Sequence, residues 1–199
     1  MSPATDPRVV SLGEALVDLI GEAGGDEAVA YRAHPGGSPM NAAVAAARLG
    51  TPTAVLTRFS SDAFGALLRA HLTGAGVDLH LAEIGPEPTS LAVVTLDGEG
   101  RATYGFYRAE TADVSYDPRP RPTLPPSVVV GNVTVSLLRP PAREAFLEIV
   151  RAHGRSGAAA VTWVVDPNAR PALWPDSGAF AREVEAWAAL ADVVKVSDE

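Results

Sequence analysis

Segments of strand character alternate with segments of helix character along most of this sequence, and that alternation predicts an α/β fold built on a mainly parallel sheet flanked by helices. Two observations refine the expectation. Between residues 77 and 107, short strand-like runs follow one another with only turns between them, which predicts a small antiparallel flap beside the main sheet. The last strand-like run, 193–196, has no helix after it, and a parallel sheet bare at its last strand predicts a chain cut in mid-fold. The 199 residues suffice for one sizeable core. Residues 1–199 are therefore expected to be the N-terminal part of one domain, with flap strands within about 14–35 and 77–108.

Val9–Leu12 is a short apolar run of buried-strand type, and Leu16 to Ile20 continues in extended fashion after Gly13. Residues 21–27 form a turn, and Val29 to Ala33 alternates weakly, as an edge strand does. Pro35-Gly36-Gly37-Ser38-Pro39 then opens a helix over 40–49, with Ser38 as N-cap, Pro39 at N1 and Gly50 at C′. Thr53 to Phe59 reads as a strand, and Asp62 caps a helix running to Gly74. Val77 to Ile84, Thr89 to Leu96 and Ala102 to Tyr107 are strand-like, the last two joined by a turn at Asp97-Gly98-Glu99-Gly100. Residues 117–126 contain five prolines and must be a loop. A strand over 127–131, a helix over 141–153, a strand over 159–165, a helix over 179–190 and the strand over 193–196 complete the series.

A formal charge of −8 and a pI near 5.0 exclude a general nucleic-acid or membrane-surface binder, since both need a cationic face. There are no cysteines, so disulfides and thiol nucleophiles are excluded. His34, His71, His80 and His153 show no metal-ligand spacing and read as surface or packing residues. Residues 1–8 lack an apolar h-region and no apolar run reaches the roughly 18 residues that cross a bilayer, so a cytoplasmic protein is expected.

Four segments carry chemistry. Gly36-Gly37 before a helix start lets the backbone approach a ligand, while the helix offers unpaired N–H groups and a positive dipole end. Asn41, at about N3, can direct its amide to the same place. The plain alternative is a glycine-rich loop with an ordinary cap; no Gly-Lys-Ser/Thr or Gly-x-Gly-x-x-Gly pattern accompanies it. Asp18 sits among Leu16, Val17, Leu19 and Ile20, and a carboxylate there needs hydrogen-bond partners such as paired sugar hydroxyls, unless its strand simply turns it to solvent. Arg108 ends the aromatic stretch Tyr104-Gly105-Phe106-Tyr107, where its planar fork suits a carboxylate or polyhydroxyl ligand, or merely the surface of a flap strand. Asp166-Pro167-Asn168-Ala169-Arg170 follows a buried strand at the edge where open α/β sheets bind ligands, though Asx-turn chemistry would produce the same residues.

In order along the chain, these segments resemble a known family. Gly13-Glu14-Ala15-Leu16-Val17-Asp18, then Gly36 through Asn41 with its alanine-rich helix and Arg48-Leu49-Gly50, resemble the start of a fructokinase-like sugar kinase of the ribokinase/fructokinase (PfkB-type) family. So do Asp62-Ala63-Phe64-Gly65, Ala75-Gly76-Val77-Asp78, Thr89-Ser90-Leu91-Ala92, Phe106-Tyr107-Arg108, the Asp166–Arg170 segment and Lys195-Val196-Ser197-Asp198-Glu199. The resemblance spans residues 8 to 199. It implies a ribokinase-like core with a small β lid over the sugar, ATP and Mg2+ as cofactors, and transfer of the γ-phosphate to a sugar hydroxyl. By position, Asp18, Gly36, Gly37 and Asn41 match the sugar-binding residues, and Arg108 a lid-proximal arginine. Asn168, Arg170 and Lys195 match positions near the phosphate path or the nucleotide. In such enzymes exposed lid strands often pair with a second subunit, which leaves a homodimer open.

The departures are equally informative. The family's late Gly-Ala-Gly-Asp loop, with its phosphate cradle and catalytic base, has no counterpart here; Gly74-Ala75-Gly76-Val77-Asp78 only ends an early helix. The base is thus expected beyond Glu199, and the chain alone is expected to be inactive. Ser197-Asp198-Glu199 resembles the start of the family's magnesium-site motif with Ser in place of Asn, so the metal ligands stay unassigned. The leading reading is a fructokinase-like kinase; the alternatives are a non-catalytic sugar-binding remnant and a kinase of this fold for a nucleoside or vitamin alcohol.

Overall fold

The computed structural model describes residues 6–22, 30–96, 102–132, 139–153, 161–168 and 176–197. The turn at Asp97–Gly100, most of the turn over 21–27, Arg170, Leu173, Trp174 and the Asp198-Glu199 end lie outside them.

The central layer is a five-stranded, all-parallel sheet. It consists of β1 (Val9–Leu12), β4 (Thr53–Leu56), β9 (Val128–Asn132), β10 (Thr162–Asp166) and β11 (Val193–Val194), in the order β11-β10-β9-β1-β4. Both faces are covered, as a parallel sheet of near-continuous apolar strands requires. On one face α1 (Ser38–Arg48) and α2 (Ala63–Gly74) close a core around Met40, Ala43, Val55, Phe59, Leu68 and Leu72. On the other, α3 (Ala142–His153), α4 (Ser177–Ala188) and the proline-rich 117–126 loop enclose Val10, Leu12, Phe146, Trp163 and Trp187. Tyr116 stacks on Phe146 at 5.0 Å, and Arg143 of α3 forks onto Glu183 of α4. His153 accepts from the Leu124 N–H through Nε2 and faces the Ile149 carbonyl through Nδ1, tying the proline-rich loop to α3.

A second sheet stands beside the first. β2 (Leu16–Glu22), β3 (Ala30–Gly36), β7 (Ser90–Leu96) and β8 (Ala102–Tyr107) lie in the order β3-β2-β7-β8. Both outer pairs are antiparallel, and the inner pair β2/β7 is parallel. The two halves of the flap therefore come from separate stretches of chain, and β1 and β2 belong to different sheets on either side of Gly13-Glu14-Ala15.

Three local expectations shift. The 53–59 strand is broken at Thr57, whose hydroxyl donates to the Gly13 carbonyl, so that β5 (Arg58–Ser60) turns away to pair with β6 (Glu83–Gly85). Residues 77–82 pair with the sheet only through an isolated bridge from Asp78 to Ala54. Helix α1 begins one residue early: Gly37 is its cap, Ser38 its first residue and Asn41 its fourth. At its far end Gly50, at φ +84°, and Thr51 donate to Ala47 and Ala46, closing a Schellman motif.

Asp62 is the N-cap of α2 as expected. Its carboxylate accepts from the Gly65 N–H at 2.7 Å and from both the backbone N–H and the hydroxyl of Thr89, just before β7. Burial pushes this carboxyl up, but the hydrogen bonds from Gly65, Thr89 and Ser60 outweigh it and hold it below its ordinary value. A depressed carboxyl pKa stabilises the fold at neutral pH and loses that contribution as pH falls through the depressed value. Asp62→Ala should cost about 2 kcal/mol at pH 7, the upper range for a cap, and much less at pH 2. Urea unfolding at the two pH values checks this, and an equal loss at both would show that the charge is immaterial.

Candidate functional site

The candidate site is built where the chain leaves the main sheet for the flap. β1 ends at Leu12, and Glu14 and Asp18 follow at the start of the second sheet. The chain returns at Gly36-Gly37 into α1. Both glycines are dictated by these two acids. A Cβ at Gly36 would overlap the Asp18 carboxylate, so that carboxylate rests directly on the Gly36 backbone. Gly37, at φ +101°, would place a Cβ 2.8 Å from the Glu14 carbonyl oxygen and 3.4 Å from its Cγ. A side chain at Gly36 would displace the Asp18 carboxylate, and one at Gly37 would press on the Glu14 backbone.

Asp18 is half-buried on β2, opposite His34 on β3 and Ala92 on β7. Burial pushes its carboxyl above the ordinary value, the charge of Glu14 adds to this, and His34 opposes it. Asn41 stands on the first turn of α1 with its side chain exposed and its N–H donated to the Gly37 carbonyl. An acceptor carboxylate, an amide and the start of an eleven-residue helix thus gather around the Gly36-Gly37 turn.

Arg108 is placed otherwise than on a flap surface. Its side chain is 5% exposed, with one terminal nitrogen 2.7 Å from Glu14 Oε2 and the other 2.6 Å from Asp113 Oδ2. Burial opposes its charge, but Asp113 and Glu14 outweigh that and hold the guanidinium above its ordinary value. Nε has no partner. Asp113 Oδ1 accepts from the hydroxyls of Ser90 and Thr111. Removing Arg108 would leave both carboxylates buried without their counter-charge, a loss that typically costs about 3–5 kcal/mol.

Of the remaining expected residues, Asn168 and Lys195 occupy the carboxyl edge of the main sheet, and Arg170 lies outside the described residues. Lys195, just after β11, reaches Asp166 at 3.0 Å, and Asn168, at φ +41°, donates its N–H to Asp166 Oδ1 in the Asx turn. The register aligns Leu12 with Gly131 and Asn132 with Asp166, so β1 and β10 end at the same edge with only β9 between. At about 4.8 Å per strand spacing, their ends are about 10 Å apart. No three His, Asp or Glu side chains gather as metal donors among the described residues.

Glu14 and Asp113 were not among the expected site residues. The signal for Glu14 was present, since it is a second acid in the same apolar stretch as Asp18. Asp113 lies in a loop of ordinary composition and had none.

The model of the pfkB family carbohydrate kinases matches residues 6–199. The maize protein "Fructokinase-1" is 34% identical over 197 residues, 96% of this chain and 60% of its own length. Tomato "Fructokinase-2" is 32% identical over 96% of this chain and 59% of its length. Among solved structures, fructokinase from Vibrio cholerae O395 in apo form superimposes with a TM-score of 0.82 at 30% identity, covering 96% of this chain and 63% of that one. The same enzyme bound to fructose, ADP and calcium gives 0.79 at 31% identity, covering 96% of this chain and 60% of that one. The chain therefore spans about three fifths of the relatives it matches. With the family model matched over nearly the whole chain, on a doubly covered parallel sheet with a smaller sheet beside it, this chain belongs to the pfkB family of carbohydrate kinases.

Proposed function

We propose that this chain carries the sugar-binding side of an ATP-dependent kinase that phosphorylates a hydroxyl of a ketose or keto-sugar acid. The observation that carries this reading is the Asp18 carboxylate, seated on Gly36 with no hydrogen-bonding side chain opposite it on β7. An ionised carboxylate there accepts from two adjacent sugar hydroxyls, the exposed Asn41 amide takes a third group, and the Gly36-Gly37 turn lets the ring lie against the backbone. Arg108, buried against Glu14 and Asp113, backs this side of the site. Asn168 and Lys195, with Arg170, are assigned to the phosphate side at the carboxyl edge. ATP supplies the transferred group. Fructokinase relatives, one solved with fructose and ADP, support a sugar over a nucleoside, although a solved aminoimidazole riboside kinase is also similar, at 26% identity. Mg2+ is the expected companion of ATP, but the described residues gather no donor set for it, and no step is assigned to it.

The flap also supports a homodimer. β3 and β8 are its free edges, and Tyr104, Tyr107 and Tyr31 stand exposed on them, with Tyr104 stacked on Phe106 at 6.2 Å. No described helix is long and apolar enough to cross a membrane. A cytoplasmic setting fits a chain with no cysteine and an acidic pI, as do the absence of nucleic-acid and membrane partners.

A panel of sugars and nucleosides offered with ATP to the full-length protein that carries this chain should give faster turnover with fructose or a keto-sugar acid than with adenosine or inosine. A clear preference for a nucleoside refutes the substrate class, and no sugar turnover at all favours the non-catalytic reading.

Asp18→Asn gives a sharper test. Losing a charged hydrogen-bond partner costs about 1.5–3 kcal/mol, or roughly 10- to 150-fold in kcat/KM for the sugar, with the ATP KM nearly unchanged. Because the raised carboxyl pKa means that the ionised form opposes folding at neutral pH, the same substitution should raise the urea midpoint at pH 7. A lower midpoint with sugar use intact would make Asp18 structural.

A further inference from the structure

We propose that Glu14 and Asp113 are positioning residues that act through Arg108, clamping the base of the flap to the start of α1 and so setting where the Asp18 carboxylate stands. This rests on the sugar-binding reading of Asp18. Three flap strands meet at the clamp: Glu14 stands two residues before β2, Ser90 is the first residue of β7, and Arg108 directly follows β8. Glu14 spans the joint. Its Oε2 holds Arg108, and its Oε1 lies 3.4 Å from the Ser38 N–H at the first residue of α1. Asp113 grips the other arm of Arg108 and, through Ser90, the strand position opposite Leu16. The Asp18 carboxylate rests on Gly36 and the Glu14 backbone carbonyl on Gly37, so one turn seats both residues and a shift at Glu14 moves the turn that carries Asp18.

The charges explain why both acids are present. Two carboxylates face one guanidinium, which leaves an excess negative charge beside Asp18. The other titratable group facing Asp18 is His34 on β3; Ala92 on β7 and Phe106 on β8 do not titrate, and the first turn of α1 carries no acid. Removing the Glu14 charge should therefore ease the ionisation of Asp18. Either Glu14→Gln or Asp113→Asn still leaves Arg108 one carboxylate, a balanced pair, so both variants should fold.

The test follows the Asp18 carboxyl by 13C NMR titration, assigned with Asp18→Asn, and fructose and ATP KM in the full-length protein. In Glu14→Gln the Asp18 midpoint should move to lower pH, and fructose KM should rise about tenfold with ATP KM within about twofold of native. In Asp113→Asn the KM change should recur while the Asp18 midpoint moves less. A near-UV CD spectrum like the native one establishes folding. Either readout at its native value in folded Glu14→Gln overturns the proposal, because a merely structural clamp would shift neither selectively. If the native protein phosphorylates no sugar, the functional reading fails and the titration alone decides the clamp; if Glu14→Gln does not fold, Asp113→Asn decides it by its fructose KM.

Discussion

A guanidinium buried between two carboxylates is costly to assemble, since every charge removed from water must be matched by geometry. Arg108 meets that demand by reaching Glu14 and Asp113 at once, and it can do so only if the end of β8, the approach to β2 and the start of the short 113–115 helical turn all converge. Among the described residues the main sheet and the flap share no strand pairing. Side chains such as Arg108 and Asp62 must therefore fix the angle between them. Asp62 does the same on the opposite side, holding α2 and the approach to β7 with one carboxylate.

From that constraint the shape of the site follows. The acids stand where the chain turns out of the main sheet, and the helix that follows the flap starts at the same place. A cradle forms there because backbone, carboxylate and helix start are forced together by two glycines that lack the atoms to keep them apart. The second cluster, Asp166 with Asn168 and Lys195, follows β10 at the carboxyl edge of the main sheet, where the strand end lies about 10 Å from that of β1.

Much of this was legible in the residues, and the failures share a cause. The alternation of elements, the Asp62 cap and the Gly50 stop depend on neighbours in sequence, and they stand as read. The N-cap of α1 moved to Gly37, and the N–H of Ser38, now the first helical residue, is met by Glu14 from far back in the chain. Residues 77–82 have strand composition but remain a loop, because the bridge at Asp78 is all the pairing the sheet gives them. Asp18 announced itself as a charge in an apolar run. Arg108 did too, as a cation after aromatics, but nothing local said that two acids would claim it. Pairings across long stretches of chain leave no periodic trace.

The parallel pairing of β2 with β7 has a consequence for how the molecule comes together. Leu16 meets Ser90 across two helices and two intervening pairs of strands, so the flap cannot form as a local hairpin. Closing that loop carries an entropic cost that its contacts return only late, and topologies of this kind fold slowly for their size. On a ribosome, β2 and β3 would wait as an isolated, marginal hairpin with one apolar face uncovered until β7 emerged. The flap is then the last part of this region to acquire order and the first place where a delay in synthesis would expose a sticky strand.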